Sequence, residues 1–124
     1  YQSYRINTGK IALNIIVEDV LLVVDSAIPC GLIINELVTN SLKHAFPDSR
    51  KGEIKIVVRR TDENWVELVI SDNGIGIPED IDFRKTESLG LQLVTILVES
   101  QLHGEIYLDR SKGTEFKIRF KGAK

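Results

Sequence analysis

Apolar and polar positions repeat with two different periods along this chain, and the changes of period mark out its elements. Residues Ile11 to Glu18 and Val20 to Val24 are runs of Val, Ile and Leu broken by Glu18-Asp19, which predicts two short strands with a tight connection. Asp25-Ser26 offers helix N-caps and Pro29 suits a first helical turn, so a helix is expected from near Ile28 to near Phe46, where Pro47 stops it. At about 100° per residue, its Ile34, Leu37, Val38, Leu42 and Ala45 gather on one side for packing, and Glu36, Asn40, Lys43 and His44 on the other.

The period then drops to two. Ile54, Ile56 and Val58 alternate with Lys55, Val57 and Arg59 over Glu53 to Arg60, Thr61 to Asn64 is a turn, and Val66, Leu68 and Ile70 form the apolar set of a return strand over Trp65 to Ser71. From Glu79 to Glu87 charges outnumber apolar residues and no period is sustained, as in a loop or lid. Ser88 caps a second expected helix, Leu89 to Leu102, with Leu93, Ile96 and Leu97 as its apolar stripe and Gly104 as its stop. Glu105 to Asp109 and Thr114 to Lys121 close the chain as strands joined by a turn at Ser111-Lys112-Gly113. The succession β-β-α-β-β-α-β-β predicts an α+β fold, a two-layer sandwich whose largely antiparallel sheet carries helices on one face.

Composition narrows the classes of function. With 124 residues, 43% of them hydrophobic and 27% charged, the chain suits a single globular domain over residues 1–124. A formal charge of −2 provides no broad basic surface, so no nucleic-acid partner is expected and any anion must be held locally. The single Cys30, inside an apolar stretch, predicts a buried thiol in a reducing compartment. No apolar run spans a bilayer and no signal pattern opens the chain, so a cytoplasmic protein without membrane insertion is expected, including as the cytoplasmic part of a membrane-associated sensor. The abrupt start at Tyr1-Gln2-Ser3-Tyr4 suggests a module of a longer chain.

Four constellations carry candidate chemistry. On the polar side of the first helix, Asn40 could give magnesium an amide oxygen and Glu36 could hold a ligand water, with Lys43 and His44 meeting phosphates; a solvated face with Glu36 paired to Lys43 is the alternative. In Asp72-Asn-Gly-Ile-Gly-Ile-Pro78 an aspartate ends a strand ahead of Gly74 and Gly76, so its carboxylate could accept from an exocyclic amine such as that of adenine; a simple turn explains the same residues. Ser88-Leu89-Gly90-Leu91 opens a helix, whose free N–H groups attract a polyphosphate, or is merely a capped start. Lys112-Gly113-Thr114 reads as a turn, with the Thr114 hydroxyl available to a ligand. His103 suits the C-terminal end of a helix dipole, and Trp65 suits core or edge packing.

Taken in order, Glu-x-x-x-Asn on a helix, Asp-x-Gly-x-Gly, a lid with Gly-Leu, and Gly-Thr before a last strand resemble the ATP-binding catalytic domain of sensor histidine kinases, in the superfamily shared with gyrase, HSP90 and MutL. The resemblance covers roughly Ile11 to Phe120. It implies the Bergerat fold, a mixed, mostly antiparallel sheet under helices on one face with an ATP lid, and the ligands ATP and Mg²⁺. By the same resemblance, Asp72 binds the adenine amino group, Gly74, Gly76 and Thr114 shape the base pocket, and Asn40 holds Mg²⁺. Glu36 acts at the γ-phosphate as the catalytic residue and reaches the metal through water. Lys43 and His44 touch phosphate or ribose, and the backbone at Leu89, Gly90 and Leu91 holds the phosphates. The implied reaction is transfer of the γ-phosphate to a histidine on a separate dimerisation domain of the same protein, with a response regulator downstream. Two alternatives share the fold: an anti-sigma-factor serine kinase and a non-catalytic nucleotide sensor. The chain departs from the family pattern at Glu87 and Ser88, where glycines are usual, at Glu105 after His103-Gly104, and at Phe83, a remnant of the aromatic lid motif.

Overall fold

The computed structural model describes residues 2–8, 11–18, 22, 24–44, 51–61, 64–75 and 89–122, for 2–8 and 44 the backbone alone. Six strands form one sheet. β1 (Gln2–Thr8) and β2 (Ile11–Glu18) pair antiparallel, and β2 runs parallel to β3 (Gly52–Arg60). β3 and β4 (Trp65–Asp72) form the expected antiparallel pair. The order β1-β2-β3-β4-β6-β5 is completed by β5 (Glu105–Asp109) and β6 (Thr114–Lys121), with β6 inserted between β4 and β5. Parallel neighbours need a crossover, and α1 (Val24–His44) supplies the one between β2 and β3. The second helical element is α2 (Leu89–Ile96), continued as a π-helical turn over Leu97–Gln101.

The core lies between the helices and one face of the sheet. Registers stack Ile56, Ile70, Phe116 and Leu108 in one row, Val58, Leu68, Ile118 and Ile106 in the next, and Val66 with Phe120 beyond. Against them pack Ile33 and Leu37 of α1 and Val94, Leu97, Val98 and Leu102 of the second helix. Ile33, Val98, Ile118 and Phe120 are wholly buried, each stabilising the fold by roughly 2 kcal/mol through area removed from water. The opposite sheet face carries most of the polar strand residues, beside Val57 and Val69: Arg59 forks onto Glu67 at 2.7 and 3.0 Å, and the guanidinium of Arg119 lies 5.0 Å from the ring centre of Trp65. This is the two-layer α/β sandwich expected from the sequence, with its sheet mixed through the β2/β3 pair.

Several elements differ from expectation. β1 lies where no strand is predicted. Val24 opens α1 rather than closing a second strand, Leu22 belongs to no strand, and 20, 21 and 23 lie outside the described residues. Pro29 therefore sits inside α1, where its ring nitrogen leaves one carbonyl of the first turns without its helical partner. The described part of α1 ends at His44, with Ala45 and Phe46 outside it. On α1 the buried side is Cys30, Ile33, Leu37 and Ser41, with Ile34 and Val38 packed beside it as expected, whereas Leu42 is half exposed. The second helix is turned differently too. Leu97 is buried, but Leu93 and Ile96 face solvent and Val94, Val98 and Leu102 take the core.

The helix end also differs. His103, at φ 51°, takes the left-handed conformation that closes the helix, while the Gly104 N–H reaches back to the Val98 carbonyl at 2.9 Å. Gly104 is needed for another reason: a Cβ there would collide with the carbonyl of Arg119 in β6. The buried Cys30 matches expectation, with burial pushing its thiol up to about 11.

Candidate functional site

Asp72 ends β4 on the core face, in the row that holds Ile54 on one side and Thr114 on the other. Alternation from Val66, Leu68 and Ile70 carries a carboxylate into a position built for an aliphatic side chain, and it is 6% exposed. A carboxylate at such depth requires donors. Its Oδ1 accepts from the Gly74 N–H at 2.9 Å and its Oδ2 from the Ser41 hydroxyl of α1 at 2.7 Å. Between them these bonds fix the plane of the carboxylate from the loop side and the helix side. Asn73 points the other way, accepting from the Glu53 N–H at 2.8 Å, and so anchors the loop to β3. Thr114 is likewise buried, 8% exposed, beside Asp72. Gly113 brings it there with a φ of 96°, and a Cβ at that position would strike the Asp72 carbonyl.

The second half of the site lies between the helices. A Cβ placed on Gly90 would sit 2.5 Å from Glu36 Oε2 and 3.7 Å from Asn40 Nδ2. The missing side chain of Gly90 is therefore what lets the polar side of α1 approach the start of α2. Backbone N–H groups in a first helical turn have no partner within the helix, and α2 carries no acidic residue there to offset its positive end. Lys43 follows Asn40 by three residues and shares its side of α1, with its head group exposed.

Magnesium fits this donor set. The described residues hold no cluster of three or more His, Cys, Asp or Glu that could cage a metal alone. Glu36 and Asn40 offer two oxygen-bearing groups that lie against Gly90. Magnesium takes few protein oxygens and completes its octahedron with water and phosphate, so two donors beside a helix start suit it.

Of the residues singled out by sequence, the structure brings Glu36, Asn40 and Gly90 together in one cluster and Asp72, Gly74 and Thr114 in another. The side chain of Leu89 is exposed and that of Leu91 packs on the core. Gly76, the expected lid and Ser88 lie outside the described residues, as does the side chain of His44. Sequence reading missed Ser41, which joins the two clusters because its chain neighbour is Asn40. Its signal was present: Ile33, Leu37 and Ser41 recur every four residues, so one hydroxyl stands on an otherwise apolar stripe. A cavity of about 500 Å³ opens elsewhere, by Lys55, Ser71 and Glu115 on the polar sheet face. It reaches Asp72 and Thr114 at its rim but none of Glu36, Asn40 or Gly90.

Residues 26–124 match the family model described as histidine kinase-, DNA gyrase B- and HSP90-like ATPase. The sensor histidine kinase PdtaS of Mycobacterium tuberculosis is 36% identical over 98 residues, which are 77% of this chain and 19% of that protein. Blue-light-activated histidine kinase 2 of Erythrobacter litoralis is 33% identical over 91 residues, 73% of this chain and 26% of the relative. The matched part of the chain thus spans 19% and 26% of these two relatives. Among solved structures, the histidine kinase domain of the Erythrobacter litoralis blue-light-activated histidine kinase superposes with a TM-score of 0.82 at 30% identity, covering 92% of this chain and 52% of that one.

Proposed function

We infer the function from one premise: the chain belongs to the histidine kinase-, DNA gyrase B- and HSP90-like ATPase family. We propose that it is the ATP-binding catalytic module of a two-component sensor histidine kinase, one part of a longer protein. Its reaction is transfer of the ATP γ-phosphate to a histidine on a separate dimerisation domain. The observation that carries this is the meeting of Glu36 and Asn40 at Gly90, tied through Ser41 to the buried Asp72.

Each role follows from chemistry. Asp72 keeps lone pairs beyond the two it has committed and accepts from the adenine amino group, while Thr114, Gly74 and Gly76 shape the base pocket. Backbone amides of Leu89, Gly90 and Leu91 hold phosphate oxygens at the positive end of α2, and Lys43 and His44 add charge and donors there. Asn40 would hold Mg²⁺ directly and Glu36 through water, and the ion when bound neutralises charge on the phosphates. Glu36 takes up the proton of the attacking group or orients that group for in-line transfer. Phosphoryl transfer asks the protein chiefly for positioning and charge stabilisation, which one carboxylate, one amide and a helix end supply.

The acceptor domain is a docking partner, and an apolar surface for it is at hand: Ile28 and Leu32 of α1 and Leu93 and Ile96 of the second helix are all exposed. No described helix is long and apolar enough to cross a membrane; the reading places the module in the cytoplasm. A response regulator receives the phosphate downstream.

The test is phosphotransfer in trans from γ-labelled ATP to a separately supplied histidine-bearing dimerisation domain. Label is expected on that domain as an acid-labile phosphate, and none on this chain alone. Glu36→Gln is expected to keep ATP binding within about threefold and to lose transfer by at least about a hundredfold. ATP binding without transfer would make the chain a nucleotide sensor, and acid-stable label on serine would make it a serine kinase.

A further inference from the structure

The Asp72 carboxylate is held by a donor that no motif of the site includes. Ser41 is 9% exposed, faces the core side of α1, and places its hydroxyl 2.7 Å from Asp72 Oδ2. A buried hydroxyl on an apolar helix face costs desolvation unless it is bonded, and here its bond runs to the carboxylate at the mouth of the base pocket. We propose that Ser41 is the positioning residue for base recognition, holding Asp72 in the one orientation that selects a purine bearing a 6-amino group.

The Gly74 N–H alone, at 2.9 Å from Oδ1, would leave the carboxylate free to turn about its Cβ–Cγ bond, a torsion with a broad minimum. A second donor on the other oxygen removes that freedom and directs the remaining lone pairs into the pocket. Because Ser41 donates to Asp72, the carboxylate stays a pure acceptor toward its ligand. It thus welcomes an exocyclic amine and repels the 6-carbonyl of guanine or hypoxanthine. Ser41 also follows Asn40 in the chain, so the bond sets the α1 register in which the amide of Asn40 faces Gly90.

This rests on the nucleotide reading given above, and the experiment separates the two. Affinities for ADP, and for purine riboside 5′-diphosphate, which lacks the 6-amino group, are measured by calorimetry with magnesium for wild type, Ser41→Ala, Asp72→Asn and the double variant. Wild type is expected to prefer ADP. Ser41→Ala should lower ADP affinity about tenfold, the effect of one hydrogen bond to a charged group, and leave the analogue within about twofold. In the Asp72→Asn background the Ser41 substitution should add nothing. An equal loss for both ligands would assign Ser41 a merely structural role, and unchanged ADP affinity would remove its role altogether; either result overturns the inference while the nucleotide site stands. Binding of neither ligand by folded wild type would overturn the nucleotide reading and the inference with it.

Discussion

Replacing Gly90 by alanine separates a packing glycine from a ligand-binding one. The added Cβ would lie 2.5 Å from Glu36 Oε2 and 3.6 Å from its Cδ, with Asn40 Nδ2 at 3.7 Å. The colliding atom is the far end of a flexible side chain, so Glu36 moves aside at a cost of about 1 kcal/mol in rotamer energy and freedom. Against this, alanine gains up to about 1 kcal/mol over glycine in a helix, less in a first turn. The two nearly cancel, and the melting temperature should stay within about 5 °C of wild type. The cleft pays for that tolerance: Glu36 leaves its place opposite the α2 amides and a methyl group fills the approach to them. ATP affinity in the presence of magnesium should fall at least about tenfold, a loss of about 1.4 kcal/mol or more. Differential scanning fluorimetry and calorimetry on one preparation decide the matter. Wild-type affinity in a folded variant would refute the phosphate site at α2, and a fall in melting temperature of more than about 10 °C would show that Gly90 serves packing.

Asp72→Asn should weaken calorimetric ATP binding by about a hundredfold and lower stability by roughly 1 to 2 kcal/mol, because the amide oxygen keeps one of the two bonds now made to Ser41 and Gly74; retained affinity would refute the base pocket. Two neighbouring substitutions should act with opposite signs in denaturant unfolding. His103→Gly relieves a left-handed residue and gains up to about 1 kcal/mol, whereas Gly104→Ala drives a Cβ into the Arg119 carbonyl and loses about 2 kcal/mol or more. Burial holds the Cys30 thiol up to about 11 against an ordinary 9.0, so above pH 9 the unfolded chain loses a proton that the folded chain keeps. Stability should therefore fall between pH 9 and 11, by on the order of 2 kcal/mol, and Cys30→Ala should remove that part of the slope.

The strands β3, β4, β5 and β6 were legible because a half-buried strand writes its burial into alternate residues, as Ile54, Ile56 and Val58 do opposite Val66, Leu68 and Ile70. β1 was not, since Gln2-Ser-Tyr-Arg-Ile-Asn-Thr8 carries little apolar signal and forms by pairing with β2. The start of α1 was misplaced because Pro29 reads as a first-turn residue when only its own neighbourhood is considered. The motif residues Glu36, Asn40, Asp72, Gly90 and Thr114 were found by spacing and resemblance, while Ser41 needed coordinates. A hydroxyl on a helix has many possible partners, and its bond to Asp72 spans 31 residues.

By itself, the sequence determined the strands β2 to β6 and the body of both helices, which side of α1 is polar, and the family to which the motifs point. It could not orient the second helix. Leu89 to Leu102 is apolar almost all round, so Leu93 and Ile96 compete on equal terms with Val94 and Val98 for the core, and no periodic signal chooses between them. Tertiary structure made the choice. Gly90 allows α2 to close on Glu36 and Asn40 in the same rotation that buries Val94, Val98 and Leu102 against the sheet and turns Leu93 and Ile96 to solvent. Periodicity is a property of one segment, whereas the rotation of a helix about its axis is set by what it packs against.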